Sequence, residues 1–264
     1  MRLANLFRMD LFLEILPQLL QTVPVVIYIT LVAFFCGLVI GLVCALIKIH
    51  KVPFLRHLIS VYISFFRCTP LLVQLFIAYF GFPVLLREIN IAFGANIDIR
   101  AITAMHYALV VFSLNTGAYL TETVRSALEA VDSGQREAAQ SIGMTGWQTL
   151  RRIILPQAFL VALPNLGNMV IMLVKNTSLA FTITLMETMN RARQLAIEHA
   201  RVFEAYIAAA LIYWAICLIA EFLAVTLEKI MKRGRGLDDR VKGDRKNFWH
   251  KLRPAWHRHY HPKG

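Results

Sequence analysis

The sequence predicts an all-α polytopic membrane protein with about five transmembrane helices. Three observations carry that expectation. Of the 264 residues, 58% are apolar and 17% charged, the wrong balance for a surface that faces water. The apolar residues fall in long charge-free runs, and about 20 such residues in one helix cross the roughly 30 Å hydrocarbon core. The positive excess, formally +12, is concentrated behind the last run, where twelve Lys or Arg from Glu228 onward face four acids.

Taken in order, the chain opens with an N-terminal segment, 1–20, expected outside the membrane. No charge lies between Glu14 and Lys48, and the part over 21–47 reads as the first span. It is too long for a signal-peptide core and no small-residue cleavage site follows it closely, so it is expected to be retained. The second span is expected over 58–82, interrupted only by Arg67, the third over 101–121 and the fourth over 153–175. The fifth, 202–227, carries only Glu204 and Glu221. The basic tail, 229–264, resists translocation and is expected in the cytoplasm against anionic lipid, a better fit than nucleic acid. Five crossings then put the N-terminus outside and the connection between the third and fourth spans inside. The last external loop, with Lys175, Arg191, Arg193 and Arg201, is unusually basic for that side. Within it, 176–186 is uncharged and too short to cross; it reads as a re-entrant or buried segment, permitted where protein or a water cavity satisfies its backbone.

Cys36, Cys44, Cys68 and Cys217 all fall in expected spans without CxxC spacing, which argues for packing rather than a disulfide framework or zinc site. The tail histidines, His257, His259 and His261, read as a solvated terminus, and no metal site is expected.

The inner connection has the most specific punctuation. In DSGQREAAQSIGMTGWQTLRRIILPQA, Asp132 is placed to cap a helix over 133–142 with Gln135 as capping-box partner, and Gly143 to end it. Thr145 and Gln148 form a second capping box, and Pro156 is expected to bend the chain as it enters the fourth span. Ala138, Ala139 and Ile142 are expected on one narrow face beside Arg136 and Glu137. Such a face admits the close approach of another protein's backbone; by composition alone, a helix lying on lipid head groups accounts for it more simply.

Glu137, Ala138, Ala139, Gly143, Ile153, Leu155 and Pro156, at these spacings, match all seven fixed positions of the EAA signature. On that signature the chain resembles the permease subunits of binding-protein-dependent ABC importers. The resemblance covers about 21–228 and extends to the polar amino-acid branch. Phe66-Arg67-Cys68-Thr69-Pro70-Leu71-Leu72-Val73-Gln74 resembles that branch's FRGTPLxxQ stretch, with Cys68 in place of the usual Gly. Leu114-Asn115-Thr116-Gly117-Ala118-Tyr119 with Glu122 and Arg125 resembles LNTxAYxxExxR, and Lys175 to Ala180 is similar to K(D/S)TSLA.

The resemblance implies the ABC importer permease fold, with a cytoplasmic coupling helix over about 133–150 that sits in a cleft of an ATP-hydrolysing subunit. Implied coupling residues are the seven of the signature. The implied partners are ABC ATPase subunits, a second permease chain, identical or paralogous, and an extracytoplasmic solute-binding protein, in a bacterial inner membrane. The chain has no Gly followed by Lys and so no phosphate loop; no cofactor is expected on it, and ATP and Mg are expected on the partner ATPase.

Arg67 and Glu122 are ionisable groups in or beside spans, which suits either mutual pairing or a substrate role. Thr69, Gln74, Asn115, Thr116, Tyr119 and Ser178 are candidates for a polar pathway lining, or for hydrogen bonds that glue helices. Within the polar amino-acid class, 141–149 and 208–214 look most like cystine permeases, whereas Leu185-Met186-Glu187 looks more like basic amino-acid permeases; cystine is placed first, with basic amino acids (arginine, histidine or lysine) or glutamine as the alternative. A rival from another class is a secondary transporter driven by an ion gradient, which explains the buried charges but not the EAA signature. A membrane-embedded enzyme lacks support, with no HExxH or GxSxG in the chain.

Overall fold

A computed structural model describes residues 7–233, whose regular elements are all helical, with no strand among them. Helices α1 (Met9–Leu20), α2 (Val23–Ile49) and α3 (Leu55–Cys68) are followed by α4 (Leu71–Phe76), which continues through a π-turn, Ile77–Gly81, into α5 (Phe82–Phe93). Next come α6 (Ala104–Glu129), α7 (Ser133–Ser141) and α8 (Gly146–Thr149). A second π-turn, Leu150–Ile154, leads into α9 (Leu155–Thr177), then a 3₁₀ segment, Ser178–Ile183, α10 (Thr188–Glu198) and α11 (Val202–Arg233). The basic tail and its histidines lie outside the described residues from 234 onward.

Four helical runs are long and apolar enough to cross a membrane: Met9–Ile49, Leu71–Phe93, Gly146–Ile183 and Val202–Lys232. Helix α6, the expected third span, is long enough at 26 residues but is not among them. The reason is visible in its packing. Ser113, Asn115, Thr116 and Thr121 are all buried, so its polarity is turned toward protein instead of outward.

The run expected as a single span over 58–82 is divided. Pro70 has no N–H and forces the residue before it out of the helical region, and Thr69 is extended at φ −105°, ψ 144°. α3 therefore stops at Cys68 and a new helix starts at Leu71. Cys68 closes an ordinary helical turn with its side chain exposed, and it makes no left-handed turn that would require the family's glycine. Cys36 is also exposed, so neither of these two thiols packs within the chain.

The main core is organised around α6 and its long contact with α2, with α9 closing a third side. Gly37 and Gly41, one turn apart on α2, allow that contact. A Cβ at Gly37 would lie 2.7 Å from Thr116 Cγ2, and one at Gly41 2.9 Å from Leu120 Cβ and 3.0 Å from the Thr121 amide. A second core joins α1, α10 and the start of α11 through Leu11, Ile15, Leu19, Leu195, Ala205 and Ile212. Within the expected external segment, residues 9–20 form a helix packed on the start of α11, with the Arg8 N–H donating to buried Glu204 at 2.9 Å.

Gly41→Val is expected to separate α2 from α6 and to cost about 1–3 kcal/mol, the usual penalty of overpacking, read as a lower melting temperature in detergent. Gly81→Ala, with open space around its Cβ, should leave that temperature unchanged. Equal behaviour of the two variants would contradict the packing described.

Candidate functional site

Two places collect the chemically informative residues: the break between α3 and α4, and the α7–α8 turn. At the break, the interrupted helix leaves carbonyls without intrahelical donors, and these groups cannot be left unsatisfied inside a bilayer. Two buried side-chain amides meet the need. Gln74 Nε2 donates to Phe66 O at 3.0 Å, Thr69 O at 3.1 Å and Thr69 Oγ1 at 2.8 Å. Asn115 Nδ2 donates to Phe66 O at 3.2 Å and to Gln74 Oε1 at 3.0 Å. Gln74 and Asn115 are 4% and 6% exposed, which puts them inside the fold as a clamp and leaves their amides committed. One turn earlier, Tyr62 Oη donates to Leu114 O at 2.6 Å, and Gly117 makes room for that hydroxyl.

Arg67, the exposed penultimate residue of α3, lies with its guanidinium over the Tyr119 ring, 5.5 Å from the centroid. Its expected pairing with Glu122 is not formed. Glu122 is instead joined to Lys48 at 2.6 Å and Arg125 at 2.8 Å, and Arg125 continues to Glu129 at 2.7 Å. The geometric reason is direction along α6: Arg67 reaches Tyr119, while Glu122 lies a turn closer to the helix end, where Lys48 of α2 comes level with it.

The other expected lining residues are placed differently. Thr116 is 1% exposed and faces Gly37 of α2, its hydroxyl without a partner among the described residues. Ser178 is half-buried and donates to Lys175 O at 2.7 Å. The cluster at the break therefore consists of Arg67, Thr69, Gln74, Asn115 and Tyr119.

The sequence reading passed over Lys48 and Glu187. Lys48 closes a long charge-free run and is the cation that meets Glu122. Glu187 is fully buried and caps α10, accepting from the Met189 and Asn190 amides at 2.8 and 2.9 Å and from Tyr213 Oη at 2.6 Å. Burial pushes its carboxyl above the usual carboxylate range, against the pull of those hydrogen bonds. An acid three residues before the Asn190 amide was the available signal.

At the α7–α8 turn, Asp132 accepts from the Gly134 amide at 2.6 Å and α7 begins at Ser133, without the expected Gln135 partnership. Gly143 ends the helix in the left-handed region at φ +81°. Its N–H donates to Gln140 O and that of Met144 to Ala139 O, the double closure glycine favours. Thr145 and Gln148 form the reciprocal capping box that opens α8. Pro156 stands in the first turn of α9 directly behind the π-turn Leu150–Ile154, where the ladder departs from the α pattern as expected of a residue without an N–H. The chain also turns at Gly143, ahead of α8.

On α7, Ala139 is turned inward at 4% exposure, whereas Glu137 and Ala138 are exposed. Ile142 and Trp147 extend the outward surface at 78% and 66% exposure. Ile153 and Pro156 are half-buried and Leu155 is exposed where the turn joins α9. Behind α7 a cleft of about 890 Å³ separates it from the ends of α2 and α6, with His50, Glu129, Arg136 and Thr149 among its walls.

The profile of the family described as binding-protein-dependent transport system inner membrane component matches residues 37–233. A probable amino-acid permease protein, YxeN, of Bacillus subtilis (strain 168) is 39% identical over 87% of this chain and 98% of its own length. The L-cystine transport system permease protein TcyL of the same organism is 39% identical over 87% and 93%. A solved amino acid ABC transporter with histidines is 32% identical, with a TM-score of 0.67 over 81% of this chain and 94% of its own.

Gln74→Leu and Asn115→Leu should each destabilise the fold by about 1–3 kcal/mol through buried carbonyls left unpaired. The double variant should cost less than the sum of the two, since both serve Phe66 O. Additive losses of detergent melting temperature would count against a shared clamp.

Proposed function

Because this chain belongs to the family of binding-protein-dependent transport system inner membrane components, we propose that it forms half of the solute pathway in an ATP-driven importer of L-cystine. The chain is a transport subunit for polar amino acids, and ATP hydrolysis resides in a separate subunit. The likeness to TcyL supports cystine; the likeness to the transporter with histidines keeps basic amino acids as a second reading. Five crossings are assigned to α2, the α3–α4 region, α6, α9 and α11, with the N-terminus outside and the C-terminus cytoplasmic.

The observation that carries the mechanism is the outward face of α7, where Glu137 and Ala138 stand exposed one turn before the tight Gly143 reversal. A small-faced helix of this kind suits a cleft in an ATPase subunit, whose bound ATP and Mg supply the chemistry. Loaded binding protein docks outside, nucleotide-driven closure draws the two permease chains together at α7, and the paired spans open to receive the solute. Hydrolysis reverses the movement, and the bias comes from different ligand affinities in the two states.

Gly143→Leu should insert normally but lose the ATPase on co-purification, or hydrolyse ATP without uptake. The cause is the positive φ, which costs an L-residue about 1–2 kcal/mol and shifts the turn. Wild-type uptake by this variant would contradict the assignment. In proteoliposomes, uptake should require ATP and the ATPase; transport that persists without them and collapses with the proton gradient would establish a secondary transporter instead.

A further inference from the structure

We infer that the cleft behind α7 is the docking site of the chain's own C-terminal tail, with the indole of Trp249 or Trp256 seated in the cleft and the cations beside it at the rim. The match to the family's profile stops at residue 233, so the importer reading does not account for the tail. Docking needs only that α7 and the end of α11 lie on one side of the membrane, and their packing fixes that. Met231, two residues before the end of α11, shares a hollow of about 470 Å³ with Leu128, Leu155 and Pro156. Leu128 also lines the cleft, so the chain leaves α11 beside it. Trp249 follows Arg233 by sixteen positions, about 50 Å of extended chain.

The cleft and the tail match in three respects. The cleft's volume of about 890 Å³ lies in the range that holds a ligand of several rings, and Leu46, Ile49, Leu128 and Leu150 give it apolar walls. Thr149 forms part of the wall at 1% exposure, and its Oγ1 has no partner among the described residues. A buried hydroxyl left in that state is costly, and an indole offers both an apolar body and an N–H to donate. At the rim, Glu129, Asp132 and Glu137 stand against Arg136, with Arg125 taking up part of the Glu129 charge. The tail over 245–264 carries six Lys or Arg and no acid, with Lys246 and Lys251 flanking Trp249 and Arg253 and Arg258 flanking Trp256. Anionic lipid suits that charge as well but leaves the cleft and the Thr149 hydroxyl unfilled. A docked tryptophan between two cations meets all three needs, and it ties α7 to the ends of α2 and α6.

The test uses the full-length chain in nanodiscs of phosphatidylcholine, and again with anionic phosphatidylglycerol added. A photoreactive benzoylphenylalanine replaces Gln140 on the α7 wall of the cleft or, in a second preparation that stands in if the first disturbs α7, His50 on the facing wall. Illumination should join the reporter to a residue of 234–264 of the same chain in both lipids, read by mass spectrometry of the monomer. Trp249→Ala with Trp256→Ala should lower the yield at least about ten-fold, the scale of removing an aromatic anchor. No crosslink to the tail from either reporter overturns the inference, as does a yield undiminished in the double variant. A crosslink that vanishes when phosphatidylglycerol is added assigns the tail to the membrane surface, and one that joins two chains assigns the cleft to a second copy; either result overturns it too.

Discussion

The contact between α2 and α6 is the constraint on which the rest of the structure depends. Gly37 and Gly41 bring the two backbones close enough that Thr116, Leu120 and Thr121 pack directly against α2. That approach fixes α6 along its length, and α6 connects both places of interest. Its middle supplies Asn115 to the broken helix, and its C-terminal end, braced to α2 by the Lys48–Glu122 pair, runs into the turn that begins α7. α6 thereby runs unbroken from the level of the α3–α4 break to the turn before α7. In a bilayer, where backbone groups find no water, movement at that break has to carry the Gln74 and Asn115 hydrogen bonds with it.

The helical architecture was legible because hydropathy reads length and apolarity, and α2, α9 and α11 lie within a few residues of the expected spans. The α7–α8 turn was legible for a different reason: caps are local, and Asp132, Gly143 and Thr145 act through amides only a few positions away. The expected third span, 101–121, is also met by a helix, α6, though a more polar one. α6 is the centre of the bundle and yet the least lipid-like long helix, because its Asn, Thr and Ser residues are buried against neighbours.

What the sequence left open was pairing across the fold. Arg67 and Glu122 are a plausible ion pair by type, but partner choice is set by position along α6, and Lys48 arrives from α2 at the level of Glu122. Gln74 and Asn115 suit a path lining or a link between helices by type; in the fold both amides bond the carbonyls that the break at Pro70 leaves without donors. The α7 face was half right: a nine-residue helix cannot show from its sequence that its junction with the π-turn draws Ala139 inward while leaving Ala138 outside.

The account stands on α7 lying where a nucleotide-hydrolysing partner can reach it. With Cys36, Cys44, Cys68 and Cys217 replaced by Ala, an Ala138→Cys variant treated with a membrane-impermeant maleimide measures this directly. Labelling in inverted vesicles and protection in intact cells is the expected result. Labelling of Ala138→Cys from outside intact cells would put α7 beyond any cytoplasmic ATPase and would contradict the importer mechanism as a whole.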